Sequence, residues 1–380
     1  MPTARFLLRW LVVTSGELVN DDLDTSFNLL EWSAVARWLT RQELGALAYG
    51  HTLAYWRSSD AISKLRNCLQ GDMFSATAES SLKQASLHAI LSAFADAEIP
   101  LVLLKGAALG LTVYDDPAQR TMSDIDIWVQ DADMGAAAQV MMGLGYETNL
   151  KGERPFELQQ MARGEIELIL PTFHAGLVDF HWSPFPGWWL KRTAMVDETA
   201  LWVRREPLGD GLGSCQLSPE DMVIHLTVHM AINHQFDVLA LRGLVDIALT
   251  AKKRGVDWAV VGERAREWRV GTAVYTVLDL LNQLIGVDGL ELALNRLRPS
   301  TWRRKLIYRF VTPESVLAGQ DITSGWQRFL LLLLLVDRKR DMAKLVGRTL
   351  WPEKEWLEAR YGGNVGHWKH LWRVVRSGEV

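Results

Sequence analysis

Hydrophobic residues recur at helical intervals through the first hundred residues of the chain. Spacings of three and four residues place these side chains along one face of a helix. The apolar positions that carry the pattern are Phe27, Leu30, Trp32, Val35, Trp38, Leu39, Leu82, Leu87, Ile90, Leu91 and Phe94. The pattern predicts an all-helical N-terminal region over residues 1–98. Arg9 interrupts the apolar start of the chain, so we interpret Met1–Thr14 as a first helix and not as a signal peptide.

The pattern changes near residue 99. The short apolar run 99–104 has the length of a buried strand and leads into Lys105-Gly106. A helix is predicted next, over residues 107–114. Residues 123–129 alternate acidic and apolar side chains, which is the period of a β-strand with two different faces.

A helix and two further strands complete this middle region. The apolar pattern of residues 132–144 is helical and stops at Gly145, a residue type that commonly follows a helix. Residues 164–170 and 177–182 read as strands with a short connection, which predicts an antiparallel pair. We therefore assign a mixed α/β core to residues 99–185.

The remainder of the chain has helical periodicity. A helix start is predicted at Ser218-Pro219, where Ser can cap the first turn and Pro fits its first position. We expect a helical domain over residues 186–300 and a basic helical region over residues 301–380. The longest apolar run, Phe329–Val336, has 8 residues and is too short to cross a bilayer, so it predicts a buried helix. The predicted fold class is thus α+β, with a small mixed sheet flanked by helical regions.

Composition and charge narrow the class of protein. Hydrophobic content of 48% and charged content of 23% are those of a globular chain. The two cysteines exclude a disulfide framework and a cysteine-rich zinc site, which makes the cytoplasm the expected location. The formal net charge of −4 argues against non-specific wrapping of duplex DNA. This total conceals a charge of −7 over residues 101–185 and of +7 over residues 301–380.

Two aspartates in the alternating strand are the first candidates for chemistry. Asp124 and Asp126 are two residues apart, so on a strand they point to the same face, about 6.7 Å apart. Their mutual repulsion would be relieved by a divalent cation, and oxygen ligands favour Mg²⁺ first and Mn²⁺ second. Asp179, in the alternating segment 177–182, is the best candidate for a third carboxylate, and it shares a strand face with His181.

Other interpretations of these acidic residues remain open. Glu165 and Glu167 have the same spacing on the neighbouring strand and rank second as metal ligands. An Asp-x-Asp pair on a strand can also be a solvated edge face. Three carboxylates on neighbouring strands would form a two-metal phosphoryl-transfer site.

Several motifs, occurring in a fixed order, resemble one known family. They are Leu104-Lys105-Gly106-Ala107-Ala108-Leu109, Tyr114, Arg120 to Ile127, Leu144-Gly145-Tyr146, Val178 to Trp182, His225-Leu226 with His229, Leu241-Arg242 with Asp246-Ile247, Asp257-Trp258, and Trp351-Pro352 with Arg360-Tyr361-Gly362. In this order they resemble the uncharacterised bacterial nucleotidyltransferase family of the DNA polymerase β-like superfamily. The resemblance covers most of the chain from about residue 85.

The resemblance implies a nucleotidyltransferase core in which three residues of this sequence match the acidic positions. By this analogy Asp124 and Asp126 hold metal ions, while Asp179 binds the catalytic metal and helps to deprotonate the acceptor hydroxyl. Better-known members of the superfamily hold the triphosphate at a Gly-Ser turn, where this chain has Lys105-Gly106-Ala107. Gly106 would let backbone N–H groups approach a phosphate, and Lys105 or Arg120 could supply positive charge.

Four further residues have more than one interpretation. Ser123 either contacts a phosphate or is a turn residue, and His181 either orients a carboxylate, contacts phosphate or packs. His225 and His229 are four residues apart on one predicted helix, which is a spacing of zinc ligands. Alternatively this pair is structural, bonded to backbone or to Asp246, or lines the substrate pocket.

The chain contains 17 Trp, more than its 11 Phe or 7 Tyr. Most are predicted to fill the core. Trp188 and Trp189 follow Asp179 in a turn-rich segment and either pack or stack on a nucleobase. In the tail, Trp residues alternate with Arg and Lys, a composition that nucleic-acid binding and amphipathic packing both explain. The residues of that tail pattern are Trp351, Trp356, Trp368, Trp372, Arg348, Lys354, Arg360, Lys369 and Arg373.

These observations favour a metal-dependent enzyme that transfers a nucleoside monophosphate from a nucleoside triphosphate such as ATP. The acceptor would be a hydroxyl or phosphate on a small molecule, peptide or protein more readily than on nucleic acid, with no membrane span. A second hypothesis is a non-catalytic peptide- or partner-binding protein that retains the fold. A third is a helical zinc hydrolase built on His225 and His229.

Overall fold

Helices form the N-terminal part of the chain. The computed structural model describes residues 2–12, 31–54, 60–149, 164–171, 176–322, 324–361, 366–370 and 372. Within them the first four helices are α1 (Pro2–Val12), α2 (Trp32–Arg41), α3 (Gly45–Ala54) and α4 (Asp60–Asp96). The predicted helical character of this region is thereby confirmed for the described residues. Phe27 and Leu30, which contributed to that prediction, lie outside them.

A mixed β-sheet lies at the centre of the molecule. In the described part of the chain it has seven strands: β1 (Val102–Leu103), β2 (Ile125–Trp128), β3 (Glu147–Thr148), β4 (Glu165–Ile169), β5 (Leu177–His181), β6 (Glu206–Pro207) and β7 (Cys215–Gln216). Their order is β3-β4-β5-β2-β1-β7-β6. The pairs β2/β5 and β1/β7 are parallel and the other pairs are antiparallel. The predicted α+β class and the predicted antiparallel pair β4/β5 are confirmed.

Two helices connect the strands near the carboxylates. Helix α5 (Lys105–Thr112) follows β1 directly and so begins two residues before its predicted start. Helix α6 (Met134–Gly143) follows β2 after a short 3₁₀ turn. Gly145, which follows α6, has φ +88°, a left-handed conformation that a glycine adopts without strain.

The sheet is covered on both faces. Phe180 of β5 is buried and meets Phe94 of α4 edge to face, with 6.4 Å between ring centroids. Because side chains alternate along a strand, the neighbouring Asp179 points to the opposite face. All four residues of β2 are buried as well, so the aspartate face is also enclosed.

The later part of the chain is mainly helical. Its helices are α7 (Leu190–Thr193), α8 (Glu198–Arg204), α9 (Pro219–Val228), α10 (Ala240–Arg254), α11 (Trp258–Glu267), α12 (Gly271–Leu284), α13 (Glu291–Leu297), α14 (Thr301–Ile307), α15 (Pro313–Ala318), α16 (Gly325–Leu335), α17 (Lys339–Leu350) and α18 (Lys354–Tyr361). Ser218 caps α9 and Pro219 is its first residue, as predicted. A π-helical turn, His229–Asn233, continues α9.

One buried hydrophobic cluster extends from Leu7 to Leu335 and includes residues of all four regions assigned from the sequence. A smaller cluster of Trp189, Phe329, Leu333, Val336 and Leu345 attaches α16 and α17. Residues Phe329–Leu335 of the predicted buried run are helical, and alternate side chains of the run are buried, whereas Leu330 is exposed and Val336 follows the helix. Among the described residues, no helix combines the length and the apolar character needed to cross a bilayer.

Most tryptophans contribute to packing. Trp258 and Trp268 are buried, as predicted for core residues. Trp189 is also buried and lies against Phe329, which leaves no free ring face for a nucleobase. Trp188 is partly buried and packs edge-on against Trp189.

Candidate active site

Two aspartates and a histidine converge at the centre of the sheet. The parallel pairing of β2 and β5 places Asp126 directly opposite Asp179 and Trp128 opposite His181. One ligand-type atom from each of Asp126, Asp179 and His181 lies within 4.8 Å of the other two. All three side chains are buried. The expected meeting of carboxylates from separate strands therefore occurs for Asp126 and Asp179.

Asp126 is stabilised as a carboxylate by two neighbours. Its Oδ1 atom accepts a hydrogen bond from Lys105 Nζ at 2.6 Å and contacts His181 Nε2 at 3.0 Å. Burial alone would raise the pKa of Asp126, but Lys105 and His181 lower it well below its usual range. The other ring nitrogen of His181, Nδ1, lies 3.4 Å from Glu165 Oε2.

Lys105 enters the site from the first residue of α5. Burial would lower the pKa of its amine, but the attraction of Asp126 outweighs burial and raises that pKa. The adjoining backbone is tied to the same strand, because the Leu104 N–H donates to the Asp126 carbonyl at 3.0 Å. At Gly106 an added Cβ would lie 3.2 Å from Met122 Cβ, so a larger residue would crowd this corner.

A cavity of about 310 Å³ opens beside these groups. It lies between the sheet and the helices that follow it, and its lining includes Leu226 of α9 and Met230 and Asn233 of the π-helical turn. Seven of the eight residues proposed from the sequence border it: Lys105, Gly106, Arg120, Ser123, Asp124, Asp126 and Asp179. The eighth, His181, is fully buried and lies behind Asp126. Its position there corresponds to the interpretation in which His181 orients a carboxylate.

Asp124 occupies the rim of the cavity. Its side chain is half-buried and accepts a hydrogen bond from the Ser123 hydroxyl at 2.8 Å. It borders the same space as Asp126 but is not part of the close group formed by Asp126, Asp179 and His181. Of the rival acidic residues, Glu165 borders the cavity, whereas Glu167 accepts a hydrogen bond from the Asn149 amide.

Arg120 is held by an acidic partner from α10. Its Nε and Nη2 atoms donate to the two oxygens of Asp246 at 2.7 and 2.8 Å, and the Tyr114 hydroxyl donates to the same carboxylate at 2.7 Å. Burial would lower the pKa of Arg120, but Asp246 raises it, while burial and Asp246 together raise the pKa of Tyr114. The positive charge of Arg120 is therefore balanced within the protein.

A second arginine borders the cavity and was not among the site residues proposed from the sequence. Arg242 of α10 donates through Nη1 to Glu43 and to the Thr121 carbonyl, the latter at 3.3 Å. Its carboxylate partner is 41% exposed, in contrast to the buried partner of Arg120. The signal that could have identified Arg242 is its place in the Leu241-Arg242 motif.

The histidines of α9 and the π-helical turn lie beside the cavity, and His229 borders it, which corresponds to the interpretation in which the pair lines the substrate pocket. The rings of His225 and His229 are stacked 6.3 Å apart, and His225 also packs edge-on against Phe185. The proposed bond from this pair to Asp246 was wrong, because Arg120 and Tyr114 take that carboxylate. Among the described residues, neither histidine belongs to a group of three potential metal ligands.

Burial makes His225 a source of acid sensitivity. Burial, followed by the charge of Lys105, lowers the pKa of His225 to about 3. In the unfolded chain this pKa is near 6.5, so the stabilisation from the neutral ring is complete above pH 6.5 and is lost as the pH falls toward 3. We expect His225 alone to reduce the free energy of unfolding by about 2 kcal/mol between pH 7 and pH 5.

Urea unfolding at both pH values measures this loss. His225→Leu should reduce the pH dependence by that amount, whereas substitution of the exposed His88 by Gln should leave it unchanged. An unaltered pH dependence in the His225 variant would contradict the assignment.

The donor set at the sheet centre suits a divalent cation. Two carboxylates and an imidazole are ligands for Mn²⁺, while the carboxylates alone suit Mg²⁺. The Lys105 ammonium group and the His181 ring nitrogen both contact the Asp126 carboxylate, whose lowered pKa means that it carries its negative charge inside the fold. A cation could be held by Asp126 and Asp179, with Asp124 available at the rim of the same cavity.

Comparison with known proteins gives one match. The model of a family described as uncharacterised nucleotidyltransferase matches residues 28–286, which is more than half of the chain and includes every residue of the site. Searches of curated proteins and of solved structures found no significant match.

Proposed function

Because the chain belongs to this nucleotidyltransferase family, we propose that it transfers a nucleoside monophosphate from a nucleoside triphosphate to an acceptor hydroxyl or phosphate. In this proposal Asp124, Asp126 and Asp179 hold Mg²⁺ or Mn²⁺ in a two-metal arrangement. The observation that carries it is the convergence of Asp126 and Asp179, from two strands far apart in sequence, beside a cavity lined by cationic side chains.

The reaction exchanges the phosphoanhydride bond between the α- and β-phosphates for a new bond between the α-phosphorus and the acceptor oxygen. The acceptor oxygen attacks the α-phosphorus, the new P–O bond forms, the bond to the β-phosphate breaks, and pyrophosphate leaves. When bound, the metal ions would neutralise the triphosphate and lower the pKa of the acceptor hydroxyl. Asp179 stands beside Asp126 at the cavity and is the carboxylate that we propose receives the acceptor proton.

Gly106 and Arg242 help to bind the triphosphate in this proposal. Gly106 lies in the first turn of α5, where unpaired N–H groups point toward an anion. Arg242 can exchange its exposed partner Glu43 for a phosphate oxygen. Arg120, which is paired with Asp246, contributes mainly by shaping this wall of the cavity.

Replacing Arg242 by methionine is expected to weaken binding of a nucleoside triphosphate 10- to 100-fold. A charge-assisted hydrogen bond to phosphate contributes about 1.5–3 kcal/mol, which corresponds to this range. Isothermal titration calorimetry with a non-hydrolysable analogue measures the affinity. Arg266→Met removes the same charge from an exposed position on α11 and should bind as the wild type does. If the two variants bound the nucleotide analogue with equal affinity, Arg242 would not be a ligand of the triphosphate.

We propose that the acceptor is a small molecule, peptide or protein rather than long nucleic acid, in keeping with the net charge of −4. We also propose a cytoplasmic location and ATP as the donor. Incubation with each α-labelled nucleotide, Mg²⁺ or Mn²⁺ and an acceptor panel that includes tRNA tests both donor and acceptor.

The control for that experiment is the double variant Asp124→Ala/Asp126→Ala. Label transfer should occur with the wild type and fail with the variant, and equal transfer by both would refute the assignment. Calorimetry that finds no metal-dependent nucleotide binding would favour the non-catalytic hypothesis instead.

A further inference from the structure

Lys105 has a backbone conformation that is unfavourable for lysine. Its φ of +43° lies in the left-handed region, where a Cβ atom crowds the following carbonyl. A glycine would remove that crowding. Strain of this kind persists where the side chain has a task that compensates for it.

The side chain of Lys105 occupies one of the two oxygens through which Asp126 can bind a metal ion. A carboxylate oxygen has two lone pairs, and both lone pairs of Asp126 Oδ1 have donors, Lys105 Nζ at 2.6 Å and His181 Nε2 at 3.0 Å. A cation that takes this oxygen as a ligand must displace one of the two donors. His181 is fully buried and its second nitrogen faces Glu165, whereas Lys105 is flexible and borders the cavity. The displaced donor is therefore Lys105.

A displaced ammonium group needs a new partner in the cavity. Of the nearby carboxylates, Asp124, Asp126 and Asp179 would hold metal in the proposed function, and Glu165 Oε2 lies 3.4 Å from the His181 ring. Gly106, the next residue of the chain, lies where the triphosphate is proposed to bind. A four-carbon side chain from Lys105 needs only to rotate away from Asp126 to reach a phosphate there.

We propose that Lys105 is an exchangeable counter-ion, which binds Asp126 until a divalent cation takes that carboxylate and then binds the triphosphate. The inference rests on the proposed function, because it presupposes metal at Asp126 and a triphosphate beside Gly106. Metal and nucleotide binding are consequently coupled. Metal alone has to break the Lys105–Asp126 pair, and the nucleotide restores a partner to the ammonium group. The coupling is reciprocal by thermodynamic linkage.

Mn²⁺ titrations followed by electron paramagnetic resonance measure this coupling. With chelator-treated wild type, an α,β-methylene nucleoside triphosphate should tighten Mn²⁺ binding at least tenfold. With Lys105→Met, Mn²⁺ alone should bind at least tenfold more tightly than to wild type, and the nucleotide should then improve Mn²⁺ binding less than threefold. The nucleotide itself should bind about tenfold more weakly. Lys305→Met, which removes an exposed lysine, should match wild type in all three measurements.

A second variant separates loss of the ammonium group from misfolding of the protein. Lys105→Gly removes the same ammonium group and also relieves the left-handed backbone, so it should fold and should show the same tight Mn²⁺ binding and lost coupling. Unchanged or weaker Mn²⁺ binding by a folded Lys105 variant would overturn the inference while leaving the proposed function in place. Equal Mn²⁺ binding by wild type and Asp126→Asn would instead overturn the proposed metal site, and this inference with it.

Discussion

Replacing Asp126 by asparagine is expected to lower the rate of nucleotidyl transfer about 10³-fold, or ~4 kcal/mol of activation free energy. The asparagine amide keeps the shape of the aspartate carboxylate. It lacks the negative charge that would hold the metal ion in contact with the triphosphate. Water can serve as the acceptor, so the assay follows release of labelled nucleoside monophosphate. The natural acceptor does not have to be known. Transfer within tenfold of the wild-type rate would place the catalytic metal elsewhere.

Two controls separate chemistry from folding in this variant. Asp131→Asn makes the same change at an exposed residue that follows β2, and it should leave the rate unchanged. Asp126→Asn also leaves the buried Lys105 without its anionic partner, which is destabilising. Lys105→Gln added to Asp126→Asn restores charge balance, so this double variant should regain thermal stability and remain inactive.

Replacing Asp246 by leucine is expected to lower the free energy of unfolding by about 3–5 kcal/mol. The change leaves the buried guanidinium of Arg120 and the buried hydroxyl of Tyr114 without their acceptor. Removing one member of a buried ion pair is costly because the remaining charge is neither hydrated nor compensated. Urea unfolding followed by tryptophan fluorescence measures the loss.

The exposed ion pair between Lys253 and Asp115 provides the comparison, since it also joins α10 to the segment after α5. Asp115→Ala should cost under about 1 kcal/mol because solvent screens an exposed pair. Adding Arg120→Met to Asp246→Leu removes the uncompensated cation and should recover most of the lost stability. If Asp246→Leu alone lowered the free energy of unfolding by less than about 1 kcal/mol, a group other than Asp246 would compensate the charge of Arg120.

Features determined by neighbouring residues could be predicted from the sequence. The alternation around Asp126 indicates a strand, and the segments of β4 and β5 indicate an antiparallel hairpin, because side-chain period and turn length are local properties. The cap at Ser218 is equally local. Strands β3, β6 and β7 were missed because each has two residues, too few to show a period.

The electrostatics of the site could not be predicted in the same way. Arg120 was expected to offer its charge to a phosphate, yet the fold pairs it with Asp246, 126 residues later in the chain. Lys105 and Asp126 are 21 residues apart, and no spacing rule relates them. The role of Arg242 beside Glu43 depends in the same way on how α10 packs against the N-terminal helices.

The sequence by itself determined the secondary structure around the site and the residue types able to bind a divalent cation. Only the tertiary structure decided that β2 pairs in parallel with β5, which brings Asp126 opposite Asp179, and that His181 lies behind them. The physical reason is that helix and strand periods arise within a few residues, whereas strand pairing and the burial of charge depend on the packing of distant segments. The balance of charge at Asp126, and with it the proposed role of Lys105, is a property of that packing.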